Sequence, residues 1–187
     1  MEVSVPGLLM AFRAMCAPAM FVLACFDFPG PLLAGVLAAG FASDVADAQI
    51  VRRTGTATPA LRYADTLVDT VFYATAAAAM AVAVPGAFAG TGLVLVVALI
   101  AIHVSRATFE LTKYGRVASY HMWSAKALGV LLAVAMAWSF VTGRPNVLVT
   151  CALWLGIANE LEGFAASAIL PAWRPDVPSF LHALRMT

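Results

Sequence analysis

Only ten acidic residues occur in 187, and four of them, Asp44, Asp47, Asp65 and Asp69, fall in one short window. Asp44 and Asp47 are three apart, and Asp65 and Asp69 four apart, so on helices each pair shares a face. Carboxylates gathered this closely repel one another when ionised. Two arrangements resolve the repulsion. In the first, the acids bind divalent cations; hard oxygen ligands favour Mg²⁺, Mn²⁺ or Ca²⁺. Four acids can hold two such ions, and paired metals suit phosphoryl chemistry. In the second, the acids are solvated at an interface and pair with Arg52, Arg53 and Arg62. The number and spacing of the acids favour the first.

The elements that must carry these acids are apolar. Hydrophobic residues make up 63% of the chain and charged residues 11%, with a mean hydropathy of +0.91. A soluble domain averages roughly 45–50% apolar and about 25% charged. The composition therefore excludes soluble globular, disordered, collagen-like and coiled-coil classes. Breakers such as Pro29-Gly30-Pro31, Pro85-Gly86, Gly143-Arg144-Pro145 and Pro171 divide the chain. They leave six apolar segments at 8–27, 32–52, 60–84, 92–112, 120–142 and 147–170. A spanning helix needs about 20 residues. The expected fold is an all-α integral membrane protein, a bundle of six transmembrane helices over residues 1–171 with a short cytoplasmic tail at 172–187. The three cysteines lie in apolar stretches and suggest no disulfide framework. The N-terminus lacks the pattern of a cleaved signal peptide.

With six spans, both termini share a side. That side would hold ten of the eleven basic residues, all but Arg144. The positive-inside rule makes it cytoplasmic. The apolar run 31–43 is thirteen residues long, about 20 Å of helix against a hydrocarbon core of about 30 Å. The run 71–84 is similarly short. Both helices need their acidic ends to complete the crossing, so the acids are expected at the cytoplasmic membrane surface. Carboxylates at that depth face a cavity or a partner. A short link between the two helices brings the acid pairs to one depth.

The window resembles the signature of the CDP-alcohol phosphatidyltransferases, D-x-x-D-G-x-x-A-R, eight residues, G, three residues, D, three residues, D. Asp44, Asp47, Arg52, Asp65 and Asp69 fall in register with it. The stretch Pro6-Gly7-Leu8-Leu9 leading to Arg13 is similar to the family's N-P-N-x-L-T-x-x-R opening. The resemblance implies that Asp44, Asp47, Asp65 and Asp69 hold two Mg²⁺ or Mn²⁺ ions, with Asp69 also the general base on the acceptor hydroxyl. It implies CDP-diacylglycerol or another CDP-alcohol as donor, a small alcohol as acceptor, CMP as leaving group and a homodimer. It places the enzyme in phospholipid biosynthesis at a bacterial inner membrane, its active site facing the cytoplasm, with no nucleic acid as partner. The nucleotide would lie against positions 48, 51, 52 and 61. Ala48, Val51 and Leu61 stand there where the family has Gly, Ala and Gly, beside the matching Arg52. The added side chains narrow or reshape that pocket.

Arg106, Lys113, Arg116 and Lys126 cluster around the fourth and fifth segments. By resemblance they hold the acceptor's phosphate or the lipid headgroup; otherwise they form an ordinary positive-inside loop. Asn159, Glu160 and Glu162 interrupt the last segment and are expected to pair with Arg106 or Lys126 rather than line the acceptor cavity. His103 reads as a packed interior histidine, and the tryptophans as interfacial anchors or packing. Three other functions are compatible with the acids. They are a CDP-alcohol phosphotransferase acting on a lipid acceptor, a divalent-cation transporter, and a catalytically impaired homologue that still binds cations. Transport would require acids near the bilayer midplane and along a pathway, whereas these cluster at one end of apolar helices.

Overall fold

The computed structural model describes residues 5–56 and 58–186, and among these all regular structure is helical. The helices are α1 (Val5–Cys25), α2 (Gly30–Thr54), α3 (Pro59–Ala83), α4 (Thr91–Tyr114), α5 (Trp123–Thr142), α6 (Val147–Ile169) and the short α7 (Phe180–Leu184). The first six are long and apolar enough to cross a membrane. The turn residues set their ends. Pro29 leads into α2 with proline in its first turn, where the missing N–H is no loss. Gly55 ends α2 in the left-handed conformation, φ 66°, its N–H bonded to the Val51 carbonyl. Thr58 then caps α3 by accepting the Leu61 N–H at 3.1 Å.

Two compact units make up the chain. The first combines α1, α2 and α3 with residues 133–146. Here α1 packs extensively against both α2 and α3, whereas α2 and α3 touch each other only sparingly. The tight link between α2 and α3 therefore does not make them direct partners; α1 mediates between them. Ala17 and Met20 of α1, Leu33 and Leu37 of α2, and Phe72, Ala76 and Met80 of α3 form the core, each 1% exposed or less. Gly40 lies against the Phe72 ring, where a Cβ would come within 2.5 Å of two ring carbons.

Gly30 starts α2 directly on the backbone of Phe140, near the end of α5. A Cβ at Gly30 would collide with the Phe140 carbonyl, and backbone has little room to yield. Gly30→Ala is expected to destabilise the protein by about 1–3 kcal/mol despite alanine's better helix propensity. Thermal unfolding in detergent measures this; a variant as stable as the parent would refute the packing.

The second unit combines α4, α6, α7 and residues 123–132 of α5. Its α4 packs along α6. Residues 172–186 fold back onto this unit. Val177 and Ala183 join Ala118, Tyr120, Met122, Ala166 and Leu170 in one apolar cluster. The Trp173 indole N–H donates to the Val117 carbonyl at 3.1 Å, and the Trp123 N–H to the Pro178 carbonyl at 3.0 Å.

Candidate functional site

The four aspartates converge in the first unit. Asp44 and Asp47 come from α2, Asp65 and Asp69 from α3, and Arg13 of α1 stands among them. Arg13 Nη1 donates to Asp44 Oδ1 at 2.8 Å and also to Asp69 Oδ1. Arg13 Nη2 donates to Asp47 Oδ2 at 3.2 Å and to Asp65 Oδ1 at 3.0 Å. Each terminal nitrogen thus ties α2 to α3. The intervening helix carries the cation because it packs on both acidic helices. Arg13 is fully buried.

The acids differ in accessibility. The Asp47 side chain is 5% exposed and that of Asp65 13%, against 28% for Asp44 and 30% for Asp69. Asp44 and Asp69 can therefore meet a reactant, while Asp47 is enclosed. One carboxylate oxygen from each of Asp44, Asp65 and Asp69 lies within 4.8 Å of the others. Asp47 Oδ1 is buried with no hydrogen-bond donor. Arg13 brings one positive charge to four carboxylates. An oxygen-only donor set with an unsatisfied buried oxygen and surplus negative charge fits a hard divalent cation.

Arg13 was not expected here from the spacing of the acids. Its signals were two: it is the one cation in the apolar segment 8–27, and it ends the stretch that resembles the family's opening. Of the other cations considered as partners, only Arg62 lies beside the acids. Arg52 and Arg53 are exposed at the end of α2. Arg62 lines a small cleft beside Asp47 and Asp65.

Ala48, Val51 and Leu61 line that same cleft, whose volume is only about 10 Å³, room for about one water. Leu61 also borders a larger groove of about 440 Å³, with Val5, Ile50, Thr54 and Thr58. The three substituted positions thus meet at one place. There the bulkier side chains leave little space next to the acids.

The remaining expected residues fall in the second unit. Arg106 Nε donates to Glu110 Oε1 at 2.8 Å and Arg106 Nη1 to Glu160 Oε2 at 3.1 Å. This is the pairing expected of Glu160. The guanidinium presses on Gly163, a position with no space for a Cβ. Glu110 is 2% exposed and also accepts from the Ala118 N–H at 2.7 Å and the Ser167 hydroxyl at 2.6 Å. Lys113 Nζ donates to the Ser167 and Ala168 carbonyls at 2.8 and 3.0 Å, at the end of α6. Arg116 lies over the Trp173 ring at 5.0 Å, and Lys126 over Trp123 at 4.4 Å. The Ser124 hydroxyl contacts Asn159 Oδ1 and Glu162 Oε2 at 2.9 and 2.5 Å. His103 is not packed inside. Its side chain is half exposed, with Nδ1 3.1 Å from Glu160 Oε1. It lies about two turns before Glu110 on the same face of α4, where it reaches the Glu160 carboxylate but is left half uncovered.

The family model described as CDP-alcohol phosphatidyltransferase matches residues 3–160. The match contains Arg13 and all four aspartates and ends at Glu160. No curated protein and no solved structure matches the chain.

Proposed function

The chain belongs to the CDP-alcohol phosphatidyltransferase family, and from that premise we propose that it transfers a phosphatidyl group from CDP-diacylglycerol to an alcohol acceptor, releasing CMP. With six apolar helices, a member of this membrane-enzyme family is an integral membrane protein. The proposed setting is a bacterial inner membrane with the acids facing the cytoplasm, as the basic residues suggest, and the proposed assembly is a homodimer. The observation that carries the reading is the convergence of Asp44, Asp65 and Asp69 oxygens within 4.8 Å beside the enclosed Asp47.

In this reading Asp44, Asp47, Asp65 and Asp69 hold two Mg²⁺ or Mn²⁺ ions. Bound ions of this kind supply positive charge that offsets the donor's pyrophosphate. Asp69, one of the two more accessible acids, takes the proton from the acceptor hydroxyl. The acceptor oxygen forms a bond to the phosphorus that carries the diacylglycerol. The bond from that phosphorus to the CMP oxygen breaks, and CMP leaves with the electron pair. Asp47, buried beside Arg13, orients its neighbours and is too enclosed to meet the acceptor.

The cytidine nucleotide is assigned to Ala48, Val51, Arg52 and Leu61. The acceptor's phosphate is assigned to Lys113, Arg116 and Lys126. Arg106, already neutralised by two glutamates, serves the fold of its own unit. The test is CMP release by purified protein with Mn²⁺, CDP-diacylglycerol and a panel of glycerol 3-phosphate, inositol phosphate, inositol and serine. Release with one acceptor supports the reading. Release only from a CDP-alcohol with a lipid acceptor would transfer the chain to the phosphotransferase branch.

The narrow cleft favours a second reading, a homologue that binds cations but holds the nucleotide poorly. Leu61→Gly removes the side chain shared by the cleft and the larger groove. It is expected to tighten CDP binding about tenfold, roughly the worth of relieving a steric conflict of 1–3 kcal/mol, while loosening the start of α3 by about 1 kcal/mol. Calorimetric titration with CDP decides. Equal or weaker CDP binding would show that Leu61 does not limit the pocket.

A further inference from the structure

We propose that Arg13 is the resident counter-ion of the four-aspartate site and that it competes there with the divalent cation for the same carboxylates. The proposal rests on the metal reading above and adds a role for a residue that the signature acids leave out. Arg13 is fully buried, and its guanidinium donates to all four aspartates. A buried arginine without carboxylates would be costly, so the acids are what hold it in the protein.

The fit is imperfect on both sides. Arg13 Nε is buried with no acceptor, and Asp47 Oδ1 is buried with no donor. The guanidinium is therefore held only through its two terminal nitrogens, and the acids keep unused capacity. Those nitrogens take Asp44 Oδ1, Asp65 Oδ1 and Asp69 Oδ1, from the three residues whose oxygens cluster within 4.8 Å. A divalent ion needs carboxylate oxygens at about 2.0–2.6 Å. Two cations on one set of carboxylates repel each other. An ion bound there thus weakens the four contacts of Arg13. Without the ion, Arg13 keeps α2 and α3 from being driven apart by their own charges.

Mn²⁺ binding to the full-length protein in detergent, read by the paramagnetic resonance of free Mn²⁺, tests this. Arg13→Gln is expected to bind Mn²⁺ about tenfold more tightly, because a competing positive charge is gone. In chelator, its thermal midpoint should fall below that of the parent, and Mn²⁺ should restore it. Equal or weaker Mn²⁺ binding by the folded variant overturns the proposal. Should Arg13→Gln fail to fold, the parent answers the question. With ¹⁵N-labelled arginine, the Arg13 side-chain signal, assigned through Arg13→Lys, is expected to move with Mg²⁺ at the midpoint of binding. A signal indifferent to bound Mg²⁺ overturns the proposal and leaves the metal reading standing. No Mn²⁺ binding by the parent overturns both.

Discussion

Asp69→Asn lowers the rate of CMP release by about 10²–10⁴-fold, the usual worth of a positioned general base, and leaves the fold intact. Asparagine keeps the shape and an oxygen that can still accept from Arg13, so the bridge between α1 and α3 survives. It cannot take up the acceptor's proton. Asp47→Asn offers the contrast. Asp47 is enclosed, so its loss should act through cation affinity and be largely recovered at high Mn²⁺. Rates across a range of Mn²⁺ concentrations separate the two. Full recovery of Asp69→Asn at high Mn²⁺ would make it a ligand only and sink its assignment as base.

The second large effect concerns stability. Arg106→Ala leaves Glu110 and Glu160 facing each other without their shared cation. Glu110 is 2% exposed and is also tied to the Ala118 N–H and the Ser167 hydroxyl. Breaking a buried pair by removing one partner costs about 3–5 kcal/mol. The loss should spread to the 172–186 segment, because Ala118 and Tyr120, the latter bonded to Ser167, belong to the cluster on which that segment docks. Proteolytic sensitivity of the C-terminal segment, alongside thermal unfolding, measures both effects. A variant with unchanged melting and an equally protected C-terminus would show the network to be incidental.

The helices were legible because their breakers are chemical. Pro29-Gly30-Pro31, Gly55, Pro85-Gly86 and Gly143 stop or start helices for local reasons, and the segment limits fall within a few residues of the helices found. The four aspartates were legible because spacings of three and four are statements about one helix. Arg13 was not legible as their partner. It lies 31 to 56 residues from the acids it contacts, and no periodicity reaches that far. The short link implied that the acid pairs share a depth, but it did not reveal that α1 packs on both acidic helices while these touch each other only sparingly. The surface cations were read from charge alone, which does not distinguish Arg106, locked to two glutamates, from Lys126, resting on an exposed tryptophan ring. His103 misled for the same reason: an apolar run does not say which of its residues are covered by neighbours.

The place of α1 between α2 and α3 also orders events during synthesis. α1 leaves the ribosome before α2 and α3, carrying an arginine whose insertion costs up to about 2.5–3.5 kcal/mol in a lone helix. Its first counter-charges, Asp44 and Asp47, arrive with α2, and the second pair only with α3. The nascent chain therefore holds a partly compensated cation until three helices have been made. Release of α1 into lipid is favoured only then, so the first three helices should leave the insertion machinery as a group.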